Sequence, residues 1–453
     1  MRTGTVFSRL PAVFLMGAAC AIFSSTGIAQ PERTDPAPAG TPPASAAMIF
    51  EKALLDEGID AAIERLRGIL ADTTGAYEID MYQLAREIPA RLKQQGRKGD
   101  SLALIELLAN VYADSPPLAA ELATAYLAVA REEQARAAFA RAAQMNPERS
   151  DLAWMRDHLD ALLATVRIQL AMEGKHSPGA STGLQGPYLG QRPPATRPEV
   201  FAPGIVSTTD HEYSITFAPD GREIYFSRSL VGTLVCRWNE DGWTAPEPVR
   251  LLEDPYLTEE ASVAPNGRTI FFCGRKGMRE ERTIYAAPRA GDRWGAAERL
   301  FTGMYATATR DGVLYYTEIT GRPDYGVIVR RTPAGQGAPG SEGRDTTISE
   351  ASYGEPEVIP GDVNSEAPDA HPFITPDESL LLFDTYRNPG AGLYVCFRKP
   401  DGSWGSIVRL DDKLGIPPVG QAALSPDGRY LFFCLAGDMY WVDAGFLDGL
   451  RRQ

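Results

Sequence analysis

The stretch Ile215-Thr216-Phe217-Ala218-Pro219-Asp220-Gly221-Arg222-Glu223-Ile224-Tyr225-Phe226-Ser227 decides the fold. Alternating apolar residues enter a Pro-Asp-Gly turn and leave it as an aromatic run, the pattern of two antiparallel strands joined by a tight turn. The pattern returns at Pro265-Asn266-Gly267, Arg310-Asp311-Gly312, Pro376-Asp377-Glu378 and Pro426-Asp427-Gly428. Successive turns lie 45–50 residues apart, apart from one longer interval between Arg310 and Pro376 that holds an insertion from Thr332 to Tyr353. That period is the spacing of four-stranded propeller blades.

In each repeat the turn joins an innermost strand to a second one. Third strands follow at Leu234 to Trp238, Thr283 to Ala287 and Leu393 to Arg398, and Trp243, Trp294 and Trp404 come after Gly turns, where an indole covers the outer rim of a blade. The last repeat ends at Asp443 with three strands, whereas residues 199–206 form an orphan strand before the first turn. That strand is expected to complete the last blade and close a five-bladed ring, which removes exposed sheet edges. Six blades would need strands hidden in the insertion, whose Gly, Ser and Pro content reads as a surface loop.

Upstream, residues 47–173 carry helical periodicity, with Phe50, Leu54, Ile59, Ala62, Ile63, Leu66 and Leu70 recurring at i, i+3, i+4 and Gly58 at a turn. Between Pro116 and Pro147, Leu122, Ala123 and Tyr126 lie on one helix and Ala135, Phe139 and Ala142 on the next. Small residues let the helices approach and large ones fill the gaps, so the unit resembles a tetratricopeptide repeat. Gly58-Ile59-Asp60-Ala61-Ala62-Ile63 and Ser101-Leu102-Ala103-Leu104-Ile105 resemble degenerate copies, giving about three helix pairs; an unrelated helical bundle is the competing reading. The predicted fold class is therefore an α + β multidomain chain, an N-terminal α-helical tetratricopeptide-like solenoid followed by a five-bladed (alternatively six-bladed) β-propeller.

Residues 1–29 read as an export signal: Arg2 and Arg9 in a basic n-region, an apolar stretch from Leu10 to Phe23, and small residues Gly27-Ile28-Ala29 before Gln30. A second reading makes Cys20 the lipidated first residue of an outer-membrane lipoprotein, although Gly17 stands where such signals usually carry Leu. Residues 30–46 are a Pro- and Ala-rich tether, 174–198 a Gly- and Pro-rich linker, 199–443 the propeller and 444–453 a tail. No segment approaches the ~20 apolar residues of a membrane span. Losing Arg2 and Arg9 with the signal takes the net charge from −14 to −16. An acidic protein of this kind is not expected to bind nucleic acid, whose phosphates demand a basic face.

The run Pro187-Tyr188-Leu189-Gly190-Gln191, the segment Pro198-Glu199-Val200-Phe201-Ala202-Pro203-Gly204-Ile205-Val206-Ser207 and the five turns resemble exported proteins with WD40-like, TolB-type propeller repeats. The resemblance spans about residues 187–443 and implies the fold and a role in binding. It stops short of the N-terminal domain of that family, whose partners do not carry over.

Five positions before the first residue of each turn stand Ser214, Glu260, Tyr305, His371 and Gln421, a polar ring at the mouth of the central channel. Asp210, His211, Glu212, Glu259 and Asp369 lie close to it in this register, and such a funnel is the default binding site of a propeller. An enzymatic reading would take Glu260 and Asp369 as carboxylates and His371 as proton carrier or ligand, in a hydrolase or lyase acting on envelope or extracellular glycans. No close His-x-x-x-His spacing or Walker-type phosphate loop is present, so neither a metal nor another cofactor is expected. Arg228, Arg275 and Arg387 recur after second strands, where they pair with loop carboxylates or grip an acidic ligand. Cys236 and Cys396 on third strands, and Cys273 and Cys434 on second strands, are small buried groups or inter-blade disulfides. The function expected is that of an exported, non-enzymatic binding or scaffold protein of the cell envelope: helical repeats grip a protein or peptide, and the funnel takes a second ligand, a glycan or small molecule.

Overall fold

The computed structural model describes residues 43–147, 149–172, 182–253, 256–276, 281–319, 326–334, 348–387 and 390–452. The export signal, Cys20, most of the tether and the centre of the insertion lie outside the described residues. No helix among the described residues is long and apolar enough to cross a membrane.

Five antiparallel sheets of four strands or more form the propeller. The inner strands are Glu212–Phe217, Leu257–Val263, Met304–Ala308, Asp369–Ile374 and Gly420–Leu424, in blades 1 to 5. In blade 5 the fourth strand is Glu199–Val200, which pairs antiparallel with Tyr440 and Trp441 of the third. The ring thus closes with the N-terminal strand, which covers the edge that the third strand of blade 5 would otherwise expose. Each turn is built as the repeat predicts. Gly221, Gly267, Gly312 and Gly428 adopt φ of 70–84° and donate back three residues. Asp220, Asn266, Asp377 and Asp427 accept the amide two residues on. Where Glu378 replaces Gly, at φ 57°, its carboxylate accepts from Tyr315 of the neighbouring blade at 2.6 Å, which offsets the left-handed backbone.

Two stretches read as linker and tail are structured. Gln191 bonds Val200 O and Ala202 N, the Trp243 indole donates to Gly186 O at 2.7 Å, and the Tyr188 ring stands against Tyr430 and Trp441. Residues 182–198 are therefore the lining of the closing seam, their glycines serving close approach and not looseness. Beyond Asp443, the helix Phe446–Arg451 buries Leu447 among blades 4 and 5.

The helical region holds α1 (Ala46–Asp56), α2 (Ile59–Leu70), a π-helical turn at Gln83–Glu87 running into α3 (Ile88–Gln94), α4 (Lys98–Val111), α5 (Pro116–Ala128), α6 (Glu132–Met145), α7 (Ser150–Asp157) and α8 (Leu159–Met172). Among the described residues this makes four pairs where three were expected, the additional one being α7 with α8. Gly58, at φ 91°, turns α1 into α2. Ala123, Ala135, Phe139 and Ala142 are fully buried between α5 and α6, where alanines permit close approach and Phe139 fills the space it leaves.

This region sits on the propeller face at which inner strands begin. Trp154 of α7 packs against the core of blades 4 and 5. Gln169 of α8 donates to Asp438 at 2.9 Å, and Lys98 of α4 donates to Thr209.

Candidate functional site

Each inner strand carries a β-bulge at the same place, and one residue of each bulge is in the left-handed region: Ser214, Glu260, Tyr305, His371 and Gln421, with φ of 52–55°. Left-handed backbone costs a non-glycine residue ~1–2 kcal/mol, and here the surrounding blades impose it five times. Each bulge turns its side chain toward the axis, and in three of the five a side chain of the preceding blade caps the freed amide. The Glu260 amide donates to Ser227 Oγ at 2.8 Å, the His371 amide to Thr317 Oγ1 at 2.9 Å and the Gln421 amide to Asp384 Oδ1 at 3.1 Å. In the remaining two blades, Cys273 and Cys434 occupy the capping position. They and Cys236 and Cys396 are free, buried thiols, with burial raising Cys236 and Cys434 to about 12. At the two capping positions the thiols donate to backbone carbonyls instead, Cys434 Sγ to Glu212 O at 3.3 Å and Cys273 Sγ to Gly303 O at 3.9 Å, and no described pair is bridged.

The ring itself is compact, with all five residues 4 % exposed or less. His371 Nδ1 lies 2.9 and 3.0 Å from the two oxygens of Asp384, so its Nδ1–H donates there. Its Nε2 faces Gln421 Nε2 at 3.4 Å and Glu260 Oε1 at 3.8 Å. Tyr305 reaches across the axis to Ala422 O at 3.2 Å and stands edge-on to the imidazole. Glu260 Oε2 and Gln421 Oε1 accept no hydrogen bond among the described residues. Burial raises the pKa of Glu260. Burial opposes protonation of His371, but Asp384 and Glu260 outweigh it and raise its pKa.

The sequence reading brought these five together and missed Asp384, which ends the apolar run Leu380–Phe383 and looks like the polar tip of a strand. Other predicted residues lie elsewhere. Glu212 accepts from Arg228 at 2.6 Å and from Thr208 Oγ1 at 2.6 Å; Asp369 accepts from Arg387 at 3.2 Å and from Ser365 Oγ at 2.8 Å. Both are clamps in which an acid is tied to a hydroxyl four residues upstream and to the arginine after the second strand. Glu259 does comparable work, 2.8 Å from Arg275 with both side chains 1 % exposed. The three arginines therefore pair with loop and strand carboxylates, and Asp369 does not face His371. The described residues contain no group of three or more His, Cys, Asp or Glu suited to a metal ion.

Asp210 and His211 face a different space. Between the helical region and the rim of blades 1 and 5 lies a cavity of about 260 Å³. Its helical wall carries Arg86, Lys93, Glu121, Ala125, Ala128 and Gln169; its propeller wall carries Asp210, His211, Leu230 and Asp438. Arg86 pairs with Glu121 at 2.7 Å. Burial, then Arg86 and Lys93, lower His211 to about 4. Burial likewise lowers Lys93, against the opposing pull of Glu121 and Asp210, with Arg86 and Lys98 adding smaller contributions in the direction of burial.

No known family's sequence profile matches the chain, and no curated protein matches it. Among solved structures, a TolB protein from Agrobacterium tumefaciens aligns at 18 % identity and a TM-score of 0.35, over 50 % of this chain and 70 % of that one. TolB from Acinetobacter baumannii aligns at 15 % and 0.33, over 58 % and 66 %. A gluconolactonase from Xanthomonas campestris aligns at 16 % and 0.30, over 51 % and 85 %. With overlaps this partial, the propeller stands on its own strand pairing.

Proposed function

We propose that this chain is an exported binding protein of the cell envelope, with the ligand held between the helical repeats and the propeller rim. The observation that carries this reading is the cavity itself, whose wall is supplied jointly by α3, α5 and α8 and by blades 1 and 5. Interdomain clefts of mixed lining are the usual place for a ligand. The axial ring, by contrast, is buried, which suits a part that holds five blades in register. A helical array joined to a propeller also combines two interaction scaffolds.

The test is cross-linking of the mature protein in its native envelope, with a photo-reactive residue replacing Leu230 or Ala128. Cross-links to one partner or ligand from both positions would support the reading. Equal labelling from an outward position on blade 3 would overturn it. One observation favours a second reading as an enzyme: Asp384, His371 and Glu260 stand in line, with Glu260 Oε2 unpartnered. Turnover of an envelope glycan that Glu260→Gln abolishes without loss of folding would establish it.

A further inference from the structure

We infer that the cavity at the domain seam takes an α-carboxylate carrying an adjacent N–H and a small apolar side chain, as at the C-terminus of a peptide or in a free amino acid. This rests on the binding reading above and gives it a chemistry.

Three features of the wall point to that ligand. Of the cations there, Arg86 is held by Glu121 and Arg149 by Asp151, whereas Lys93 has no ion-pair partner among the described residues. The ammonium of a half-buried lysine without a counter-ion is a site for one negative charge. A carboxylate matches this better than a phosphate, because Glu121 on the helical wall and Asp210 on the propeller wall repel a second charge. Next, Gln169 is fully buried, donates its amide to Asp438 and leaves Oε1 without a partner. A buried carbonyl oxygen in that state lacks a donor, which the ligand N–H supplies. Finally, the floor between them is apolar and shallow, formed by Ala125, Ala128 and Leu127 of α5. At about 260 Å³, the space exceeds several times the ~30 Å³ share of one liquid water and suits a short ligand.

Electrostatics agree with the geometry. Burial, then Arg86 and Lys93, lower His211, and burial lowers Lys93 against the opposing pull of Glu121 and Asp210, so an anion placed between the two favours the charged form of each. The groups facing them are Arg86, Lys98 and Glu121 from the helices, Asp210 beside His211, Glu259 from blade 2, and Asp438 from blade 5, whose carboxyl burial pushes well above the usual range. An anion bound here restores both pKa values toward normal, so binding near pH 6 takes up protons.

The experiment is calorimetric titration of the full mature protein with tri-alanine, tri-alanine amide and free alanine, in two buffers of different ionisation heat. Expected are binding of tri-alanine with proton uptake, and its loss on amidation. Lys93→Met should weaken binding by about tenfold or more, the scale of one charge-assisted hydrogen bond, with Lys93→Arg recovering part. Ala128→Leu, which fills the floor and leaves the charges alone, should also abolish it. Free alanine binding as well as the tripeptide would identify a single amino acid as the ligand; weaker binding would identify a peptide terminus. Equal binding of acid and amide, or no binding of any probe, would overturn the inference. In that event a cross-linked partner at Leu230 and Ala128 would leave the binding reading standing, and its absence would remove both.

Discussion

His371 Nδ1 lies 2.9 Å from Asp384 Oδ1, and the same carboxylate oxygen accepts the Gln421 amide at 3.1 Å, so one acid ties the inner strands of blades 4 and 5 together at the axis. Asp384→Asn keeps the shape and loses the charge-assisted bonds, at a cost of about 1.5–3 kcal/mol. The pKa of His371 is raised in the folded state, with Asp384 and Glu260 overcoming burial, so its contribution is complete below about 6.5 and declines as pH rises through the folded value. Glu260 is raised as well and acts in the same direction, because the native state binds more protons than the unfolded one. Urea midpoints should therefore fall as pH rises above about 6.5 in wild type, and less so in Asp384→Asn. Parallel pH profiles for the two proteins would contradict this role.

Arg275 and Glu259 form an ion pair 2.8 Å apart with almost no solvent access. Breaking such a pair from one side leaves a buried charge, so Arg275→Met should cost about 3–5 kcal/mol. The double variant Arg275→Met/Glu259→Leu should be less destabilised than the single one, because Glu259 is no longer left buried without Arg275. Additive losses in urea unfolding would mean that the two side chains are not coupled.

Removing residues 187–207 takes away both Phe201, fully buried against Phe432 and Trp441, and the strand Glu199–Val200. Phe201→Ala alone should cost about 3–5 kcal/mol. The deletion should destabilise all five blades, because it reopens the ring and unpairs the last sheet. Calorimetry should show loss of the cooperative propeller transition, and an unchanged melt would refute closure by this strand.

How much of this was legible in the sequence depended on how local the determinant is. The turns announced themselves because a left-handed residue is required at Gly221 and its counterparts. Counting back five positions found the axial ring, since the bulge recurs in every inner strand. Asp384 escaped, as nothing local distinguishes a buried acid at the end of Leu380–Phe383 from a strand-end surface residue. Asp369 was assigned to the axis by proximity in register, whereas Ser365 and Arg387 hold it to one side. Gly186 and Gly190 read as linker, yet a Cβ on Gly190 would lie 2.6 Å from Gln185 O in a tight turn under the seam. The cavity could not be read at all, because it exists only once α3, α5 and α8 dock on blades 1 and 5.

That docking has a consequence in acid. His211 falls from 6.5 to about 4 through burial, Arg86 and Lys93, so the folded state favours its neutral form. Its contribution is present above about 6.5 and is lost as pH falls toward 4, worth up to ~3 kcal/mol at 1.36 kcal/mol per unit. The seam should therefore loosen between pH 6.5 and 4 as the charged imidazole meets Arg86 and Lys93. His211→Gln should hold the seam closed over that range. Hydrogen exchange of α3 and of the hairpin around Ala436 provides the measurement. Wild type should lose protection there with acid while His211→Gln retains it, and equal loss in both would place the acid sensitivity on another group.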